Sequence, residues 1–306
     1  MLQLRFRDML SVNRYIKGAI FAILLVAGVA TTSAQVFQEG EVLYYRAAYR
    51  AKLVPNIEAG EVTVSTRLDT LDGKDMYRVT GNGRTLPFFR WFFDMNDTYD
   101  IWVDRHTLRT QRFESDLKED KYTFRSHYRY DWDSMKVHTW SQRRQNTPRT
   151  KTMDLTPESM DAVSLYFNLR SVDLESFREG EHRQLDMVLE DTIRHLRYRY
   201  IGRENLKVPK LGRFDTMKFA CTLGSSEEFS FTDGTEFFIW ITNDENKIPV
   251  MLASPVRVGE IRAYLRRYEG LKYPLTSKIT ENGKRKTKNK VLYLQKISQN
   301  YGREQI

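Results

Sequence analysis

A period of two in the polarity of the sequence is the feature that most constrains the fold. From residue 122 to residue 130, every even position holds tyrosine, phenylalanine or serine, and positions 125, 127 and 129 hold arginine or histidine. Successive side chains of a β-strand point to opposite faces, so such a segment buries one face and exposes the other. Segments 61–68 and 135–140 alternate similarly. The pattern predicts half-buried antiparallel strands.

Further strands are predicted at short intervals, and Asp72-Gly73 and Asp233-Gly234 are turn signals between strands. The 17 tyrosines and 17 phenylalanines also favour strands. Regular helices do not separate these segments, so they predict a mainly β fold, a large antiparallel meander that forms an open barrel or a two-sheet sandwich. The further predicted strands are 41–50, 97–104, 108–117, 184–190, 192–201, 213–223, 235–242, 248–254 and 257–268.

One segment carries the signals of a helix. Thr156 suits the N-cap position and Pro157 the first helical position, and apolar residues then recur at helical spacing as far as Arg170. We therefore expect one helix near 157–171. Its apolar face would lie across a sheet, and Arg170 would pair with an acid such as Asp161 or Asp244.

This helix would divide the β-rich chain into halves, about 35–154 and 183–270. The halves are either two sheets of one architecture or a tandem of related meanders. Because no sequence repeat relates them, we predict a single β-rich domain over 35–272. A basic tail, 273–306, would follow it, and its lack of apolar pattern indicates a flexible segment.

The N-terminal segment 1–34 has the layout of a signal peptide. Positive residues precede an apolar run, Gly18 to Ala30, and Thr32-Ser33-Ala34 offers small residues for cleavage. The run is short for a bilayer span, although an uncleaved anchor is the alternative. We expect a soluble exported protein of the periplasm or cell envelope, with no transmembrane span after cleavage. Because no cysteine lies near the cleavage point, it would not be a lipoprotein.

The positive charge of the chain lies at its two ends. The net charge is +9, of which the signal segment contributes +3 and the residues from Lys278 onward contribute +6. The body between them is therefore neutral, which argues against a nucleic-acid-binding surface. The basic tail would either be solvated or contact anionic lipid or glycan.

The sequence contains no recognised catalytic or metal-binding motif, so we predict no catalytic residue, no metal site and no cofactor. The single cysteine, Cys221, excludes an intramolecular disulfide and is interpreted as a small core residue. Asp131 and Asp133 have the spacing of a paired-carboxylate site for glycoside chemistry. The same residues also fit an ordinary turn, which is the favoured interpretation.

Two groups of residues are candidates for ligand or partner contact. The first is an aromatic segment, 86–93, on a short helix begun by Pro87. It would plug the core, close a barrel mouth, or meet lipid or a protein partner, and the core is the favoured position. Its aromatic residues are Phe88, Phe89, Trp91, Phe92 and Phe93.

The second group is basic and occupies one face of a predicted strand. His195, Arg197 and Arg199 share that face, and Leu196, Tyr198 and Tyr200 share the other. Facing a cavity, the basic residues would hold a carboxylate, phosphate or sulfate. Facing outward, as we favour, they would be solvated and would protect an edge from aggregation.

Several landmarks, taken in order, resemble the bacterial exported family called domain of unknown function 3108. The resemblance covers most of 36–270 and implies a large antiparallel β fold, barrel-like or open, in the periplasm or cell envelope. It implies no catalytic residue. The landmarks are Phe37 to Tyr45, Gly60, Asp161 to Arg170, Phe238 to Asp244, Lys247 to Val250, Gly259-Glu260-Ile261 and Leu265.

These observations support three functional hypotheses. The first is a non-enzymatic envelope protein whose curved sheet binds an apolar or amphipathic ligand, such as a lipid or a lipid-linked glycan. The second is an assembly or structural factor that contacts an envelope protein through the aromatic segment. The third, least favoured, is a glycan hydrolase whose acids the sequence does not identify.

Overall fold

The computed structural model describes residues 36–51, 54–161, 170–171, 173, 176–189, 192–224, 236–256 and 259–279. The fold is a 16-stranded sheet with a short 3₁₀ helix, Pro87–Phe89, between β3 and β4. The strands are β1 (Val42–Ala51), β2 (Val54–Leu71), β3 (Lys74–Thr85), β4 (Asn96–Asp104), β5 (Thr110–Glu119), β6 (Tyr122–Asp131), β7 (Lys136–Arg143), β8 (Arg149–Asp154), β9 (Ser159–Asp161), β10 (His182–Leu189), β11 (Thr192–Val208), β12 (Gly212–Leu223), β13 (Glu236–Thr242), β14 (Pro249–Pro255), β15 (Glu260–Glu269) and β16 (Lys278–Ile279).

Two antiparallel meanders form this sheet. Strands β1 to β8 each pair with the next, and so do β10 to β15. Strand β1 also pairs with β15, which joins the two halves of the chain into one sheet. Strand β9 is parallel to β10, and the short β16 pairs with the first residues of β12. The predicted mainly β, antiparallel fold is confirmed.

The sheet curls back on itself without closing. Strands β8 and β9 are at opposite ends of the strand order, yet the chain connects Asp154 to Ser159 directly. Five residue steps span at most about 18 Å, so the two edges lie near each other. Thr110 on β5 also donates a hydrogen bond of 2.6 Å to Asp161 on β9. The result is an open, barrel-like sheet.

The core is one continuous apolar cluster on the inner face of the sheet. On β6, Phe124, Ser126, Tyr128 and Tyr130 are buried and the residues between them are exposed, as the alternation predicted. Aromatic rings fill much of the space: Phe113 stacks on Tyr128 at 4.6 Å between centroids. Cys221 is fully buried, as expected of a core residue.

The predicted start of the helix is wrong. Pro157 and Glu158 form a turn, in which the Ser159 N–H donates to the Thr156 carbonyl, and Ser159–Asp161 then forms β9. In this strand, the backbone groups of Ser159–Asp161 find their hydrogen-bonding partners on the neighbouring strand β10. A helix would have supplied such partners from within the same segment. Residues 162–169 lie outside the described residues, and Arg170 and Ser171 are helical.

The packed part of the chain extends past the expected domain boundary at 272. Tyr273 N–H donates to Asn246 Oδ1 at 3.0 Å, and Lys278–Ile279 pairs with β12. The rest of the predicted tail, like the predicted signal segment and the Asp233-Gly234 turn, lies outside the described residues. Within the described ranges, no helix is long and apolar enough to cross a bilayer.

Candidate functional site

The aromatic segment, residues 86–93, is a compact turn between β3 and β4. Pro87 begins its 3₁₀ helix, as predicted, and Leu86 before it is extended (φ −62°, ψ 145°). The N–H groups of Phe92 and Phe93 both donate to the Phe89 carbonyl, at 3.0 and 3.1 Å. The backbone of the segment is therefore ordered by its own hydrogen bonds.

The aromatic side chains lie at the surface, so the expectation that they plug the core is wrong. Phe88 is 76% exposed and Trp91 is 70% exposed. Phe89, Phe92 and Phe93 are partly buried beneath them. Edge-to-face contacts join Phe88 to Phe89 at 5.0 Å and Trp91 to Phe92 at 5.8 Å. These rings pack against one another and still leave two large apolar groups in water.

Both ends of the aromatic segment are held by the sheet. Thr85 N–H donates to the Met95 carbonyl at 2.9 Å, and Met95 N–H donates to Thr85 Oγ1 at 3.2 Å. At the same end, Asp94 N–H donates to Asp120 Oδ1, and Asp120 N–H donates to the Asp94 carbonyl. Because four hydrogen bonds clamp its base, the segment presents its exposed rings from a fixed position.

A buried carboxyl pair lies close to this base. Asp97 on β4 and Glu119 on β5 are only 1% and 9% exposed. Burial and the nearby Glu119 carboxylate raise the pKa of Asp97 to about 8, although the Lys118 N–H donates to Asp97 Oδ1 at 3.0 Å. Asp97 therefore keeps its proton at neutral pH.

The structure does not present this pair to a glycan, because both side chains are buried. The other candidate acids, Asp131 and Asp133, form the turn that the sequence favoured. Asp131 Oδ1 accepts hydrogen bonds of 3.1 Å from the N–H groups of Asp133 and Ser134. These bonds lower the pKa of Asp131 and commit its carboxylate to the turn.

The basic face of β11 points away from the core. Leu196, Tyr198 and Tyr200 are buried, whereas His195, Arg197 and Arg199 are partly exposed on the opposite face. His195 Nδ1 lies 2.7 Å from Asp186 Oδ1, and Arg199 lies 3.6 Å from Glu236. This face therefore lies outside the core and contains local ion pairs. It is also far along the strand order from the aromatic segment.

A buried ion pair that the sequence did not identify joins the two halves. Arg170 and Glu41 are 0% and 1% exposed, and the guanidinium donates to both carboxylate oxygens, with Nη2 to Oε2 at 2.8 Å. Arg170 Nε also donates to the Asn246 carbonyl at 2.8 Å, and its guanidinium lies 4.6 Å from the Phe37 ring centre. The carboxylate that Arg170 contacts is thus that of Glu41, which the sequence analysis did not suggest.

The polar groups around this ion pair are hydrogen-bonded in turn. Asn246 Nδ2 donates to the Tyr273 carbonyl at 2.8 Å. Asp244 Oδ2 accepts from both Ser277 N–H and Ser277 Oγ, at 3.1 and 2.6 Å. We call Glu41, Arg170, Asp244, Asn246 and Ser277 the polar junction. Because its hydrogen bonds connect protein groups to one another, it serves the fold and does not form a binding site.

The family-like landmarks converge on the polar junction. Glu41, Arg170 and Asp244 come from three separate landmark segments, and the hairpin residue Asn246 lies between two of them. Their order along the chain could be seen in the sequence, but their meeting could not, because it depends on the pairing of β1 with β15.

A groove of about 1250 Å³ lies against β5 to β8, bordered by the β2–β3, β4–β5 and β6–β7 turns. Of the candidate residues from the sequence, Asp131 and Asp133 line it, whereas its basic residues had not been singled out. Its lining includes Arg112, His127, Arg129, His138 and Trp140, all from the outward-facing positions of the strands. Unlike the core, this surface combines cations with aromatic rings.

Comparison with known families assigns the chain. The family model described as "Protein of unknown function (DUF3108)" matches residues 44–266. The chain belongs to this family. The DUF3108 match covers most of the sheet, from β1 to β15, and confirms the resemblance inferred from the landmarks. No curated protein matches the chain in sequence.

Two solved structures are similar to this DUF3108 protein. The first is a β-barrel-like protein of domain of unknown function DUF1849 from Brucella abortus, with 10% identity and a TM-score of 0.50 over 78% of this chain and 100% of that one. The second, from Parabacteroides distasonis, is described as a "putative lipoprotein", with 9% identity and a TM-score of 0.31 over the same shares. The first shows a shared barrel-like fold.

Proposed function

We propose that this chain is an exported, non-enzymatic protein of the cell envelope that contacts lipid through the aromatic segment. The observation that carries the proposal is the exposure of Phe88 and Trp91, at 76% and 70%, on a clamped turn. Keeping two such rings in water forgoes about 1.5–3 kcal/mol of burial free energy for each. A surface that bears this cost is suited to contact with an apolar phase.

The chemistry of the segment favours a lipid boundary. Tryptophan and phenylalanine are the residues that enter the interface between headgroups and acyl chains, where a nearby cation is also favourable. Arg90 lies between the two exposed rings in sequence and is itself exposed. The predicted signal peptide would deliver the protein to a compartment bounded by membranes.

The ligand would be met at the surface and not inside the sheet. Trp91 projects into solvent, and Arg197 lies on the face of β11 opposite the core. Aromatic and aliphatic side chains form one continuous cluster on the inner face. This arrangement favours contact with a lipid surface over a ligand held within the curved sheet.

Vesicle flotation tests the proposal. Vesicles of phosphatidylethanolamine and phosphatidylglycerol are mixed with the wild-type chain and with a Phe88→Ser, Trp91→Ser double variant. Losing both apolar contacts is expected to weaken binding at least tenfold. Leu68→Ser is the matched control, because Leu68, on β2 and 40% exposed, is the other large exposed hydrophobic residue among those that the structure describes.

Two outcomes would contradict lipid contact. One is a wild-type chain that does not float, and the other is a double variant that floats as well as Leu68→Ser. If neither protein floats but a photo-cross-linker at position 91 captures one envelope protein in cells, the assembly-factor hypothesis replaces the lipid hypothesis.

Export has its own test. The chain recovered from the envelope fraction is expected to begin at Gln35, as shown by N-terminal sequencing. A chain that retains residues 1–34 would support the uncleaved anchor instead.

A further inference from the structure

The outer groove of β5 to β8 contains an arrangement of charge that the fold alone does not explain. Across three neighbouring strands, Arg112 lies opposite Arg129, and Arg129 lies opposite His138. Directly opposed side chains are about 4.5–5.5 Å apart at Cβ, and like charges at that distance destabilise a sheet. The two arginines therefore repel each other across β5 and β6, which costs stability when no ligand is bound, and His138 continues the row on β7.

The row is only partly neutralised by the protein. Arg112 pairs with Glu114 on the same strand and stacks over Trp102, with 5.1 Å to the ring centre. Glu114 is shared with His127, 3.4 Å away. The Arg129 side chain forms no ion pair or hydrogen bond with any residue in the part of the chain that the structure describes. It is the exposed centre of the row.

Carboxylates do occur in the lining, but they lie at its rim. The groove contains five arginine or lysine residues and four aspartates, and the aspartates all lie in turns or at strand ends. Asp104 Oδ1 accepts from the N–H groups of His106 and Thr107, and Asp131 Oδ1 accepts from its own turn. Asp104 and Asp131 are thus committed to their turns, and the lining keeps one more arginine or lysine than it has aspartates.

An aromatic side chain, that of Trp140, lies beside the basic residues of the groove. Trp140 lies opposite His127, in the row next to Arg112–Arg129–His138, and the two rings are 5.2 Å apart. Trp140 is partly exposed and lines the groove. The groove thus offers cations for oxyanions and a flat apolar face for a ring.

We propose that this groove binds an acidic oligosaccharide, whose carboxylate or sulfate groups lie over Arg112, Arg129 and His138 and one of whose sugar rings packs on Trp140. Neighbouring strands are about 4.8 Å apart, which is close to the length of one pyranose unit in an extended chain. Arg112 and Arg129 on successive strands therefore match successive acidic sugars. The site is separate from the aromatic segment and does not depend on lipid contact.

Calorimetric titration of the purified chain with tetragalacturonate tests this assignment. Removing one charge-assisted contact is expected to lower affinity at least tenfold in Arg129→Gln. Trp140→Ala is expected to lose at least as much, and Trp140→Phe, which keeps a ring, less. Raising the salt concentration to 0.5 M should weaken wild-type binding through screening. Thermal melts of each variant establish that it is folded.

Arg125→Gln is the matched control. Arg125 lies on the same strand and the same face as Arg129, but it donates to Gln142 at 3.0 Å and does not line the groove. Its loss changes the net charge equally and is expected to change affinity less than threefold. Equal losses in Arg125→Gln and Arg129→Gln would overturn the proposal, as would no wild-type binding.

Two further ligands define the chemical class. Maltotetraose, which is uncharged, should bind at least tenfold more weakly than tetragalacturonate. Citrate, which carries carboxylates without a sugar ring, should also bind at least tenfold more weakly. Equal affinity for maltotetraose would overturn the role of the cations, and equal affinity for citrate would overturn the oligosaccharide assignment.

Discussion

Arg170 and Arg129 occupy opposite electrostatic surroundings in the same sheet. Arg170 is fully buried, and its guanidinium is matched by the Glu41 carboxylate and the Asn246 carbonyl. Arg129 is exposed on β6, the middle one of three strands, and lies between Arg112 on β5 and His138 on β7. One arginine has its hydrogen-bonding partners supplied by the chain, whereas the other faces Arg112, a residue of like charge.

The difference separates scaffold from binding surface. A buried charge must be paired within the protein, because an uncompensated charge there is very costly. A surface charge needs no partner for folding, so the opposed arginines Arg112 and Arg129 are informative about ligands. Because the family-like landmarks meet at the polar junction, we interpret them as residues that stabilise the fold and not as residues that bind a ligand.

The largest expected effect comes from breaking the polar junction. Arg170→Met should lower the free energy of unfolding by about 3–5 kcal/mol, because the Glu41 carboxylate then remains buried without its cation. Denaturant titration measures the change. Arg46→Met is the matched control: Arg46 pairs with Glu61 on the outside of the sheet and should cost about 1 kcal/mol or less. Equal losses would contradict a structural role for the junction.

A double variant sharpens this result. If the stability lost in Arg170→Met comes from the Glu41 carboxylate that is left without its cation, adding Glu41→Leu should restore part of that stability. A double variant that is no more stable than Arg170→Met would instead attribute the loss to the other contacts of Arg170, such as those with Asn246 and Phe37.

Asp97 combines features of the two arginines: it is buried, like Arg170, and it has a group of like charge beside it, as Arg129 does. Its pKa is raised to about 8 in the folded chain, against about 3.9 when unfolded. The folded form therefore holds the extra proton between these values, and the free energy of unfolding should fall as pH rises from about 4 to 8, with a slope of at most about 1.4 kcal/mol per pH unit.

Asp97→Asn should remove this part of the pH dependence and be more stable than wild type at pH 8, because the amide needs no proton to stay neutral. Urea titrations at pH 5, 6.5 and 8 measure it. Asp154→Asn is the control, since the Asp154 side chain is 88% exposed. If Asp97→Asn and wild type lose stability in parallel over this range, burial does not raise the pKa of Asp97.

The smallest expected effect has the opposite sign to the first. Arg129→Gln should stabilise the chain in the absence of ligand by about 0.2–1 kcal/mol, because it removes the repulsion across β5, β6 and β7. Thermal or denaturant unfolding at low salt measures it, and high salt should reduce the difference. A destabilised Arg129→Gln would mean that Arg129 contributes to folding and would remove the contrast with Arg170.

Much of the sheet could be predicted from the sequence, because strand alternation and turn chemistry are local. Segment 122–130 was predicted as a strand and forms Tyr122–Asp131, with the expected face buried. Asp72-Gly73 forms the turn between β2 and β3, with positive φ at both residues (51° and 76°). By contrast, β8 was not predicted, because five of its six residues are exposed and it lacks a buried face.

The sequence by itself determined the fold class, most of the strand positions and the short helical turn at Pro87. Only the tertiary structure decided that Ser159–Asp161 is a strand, that Arg170 pairs with Glu41, and that Trp91 lies in solvent. The physical reason is distance along the chain. Alternation and turns depend on residues a few positions apart, whereas these outcomes depend on which strands become neighbours when the sheet curls.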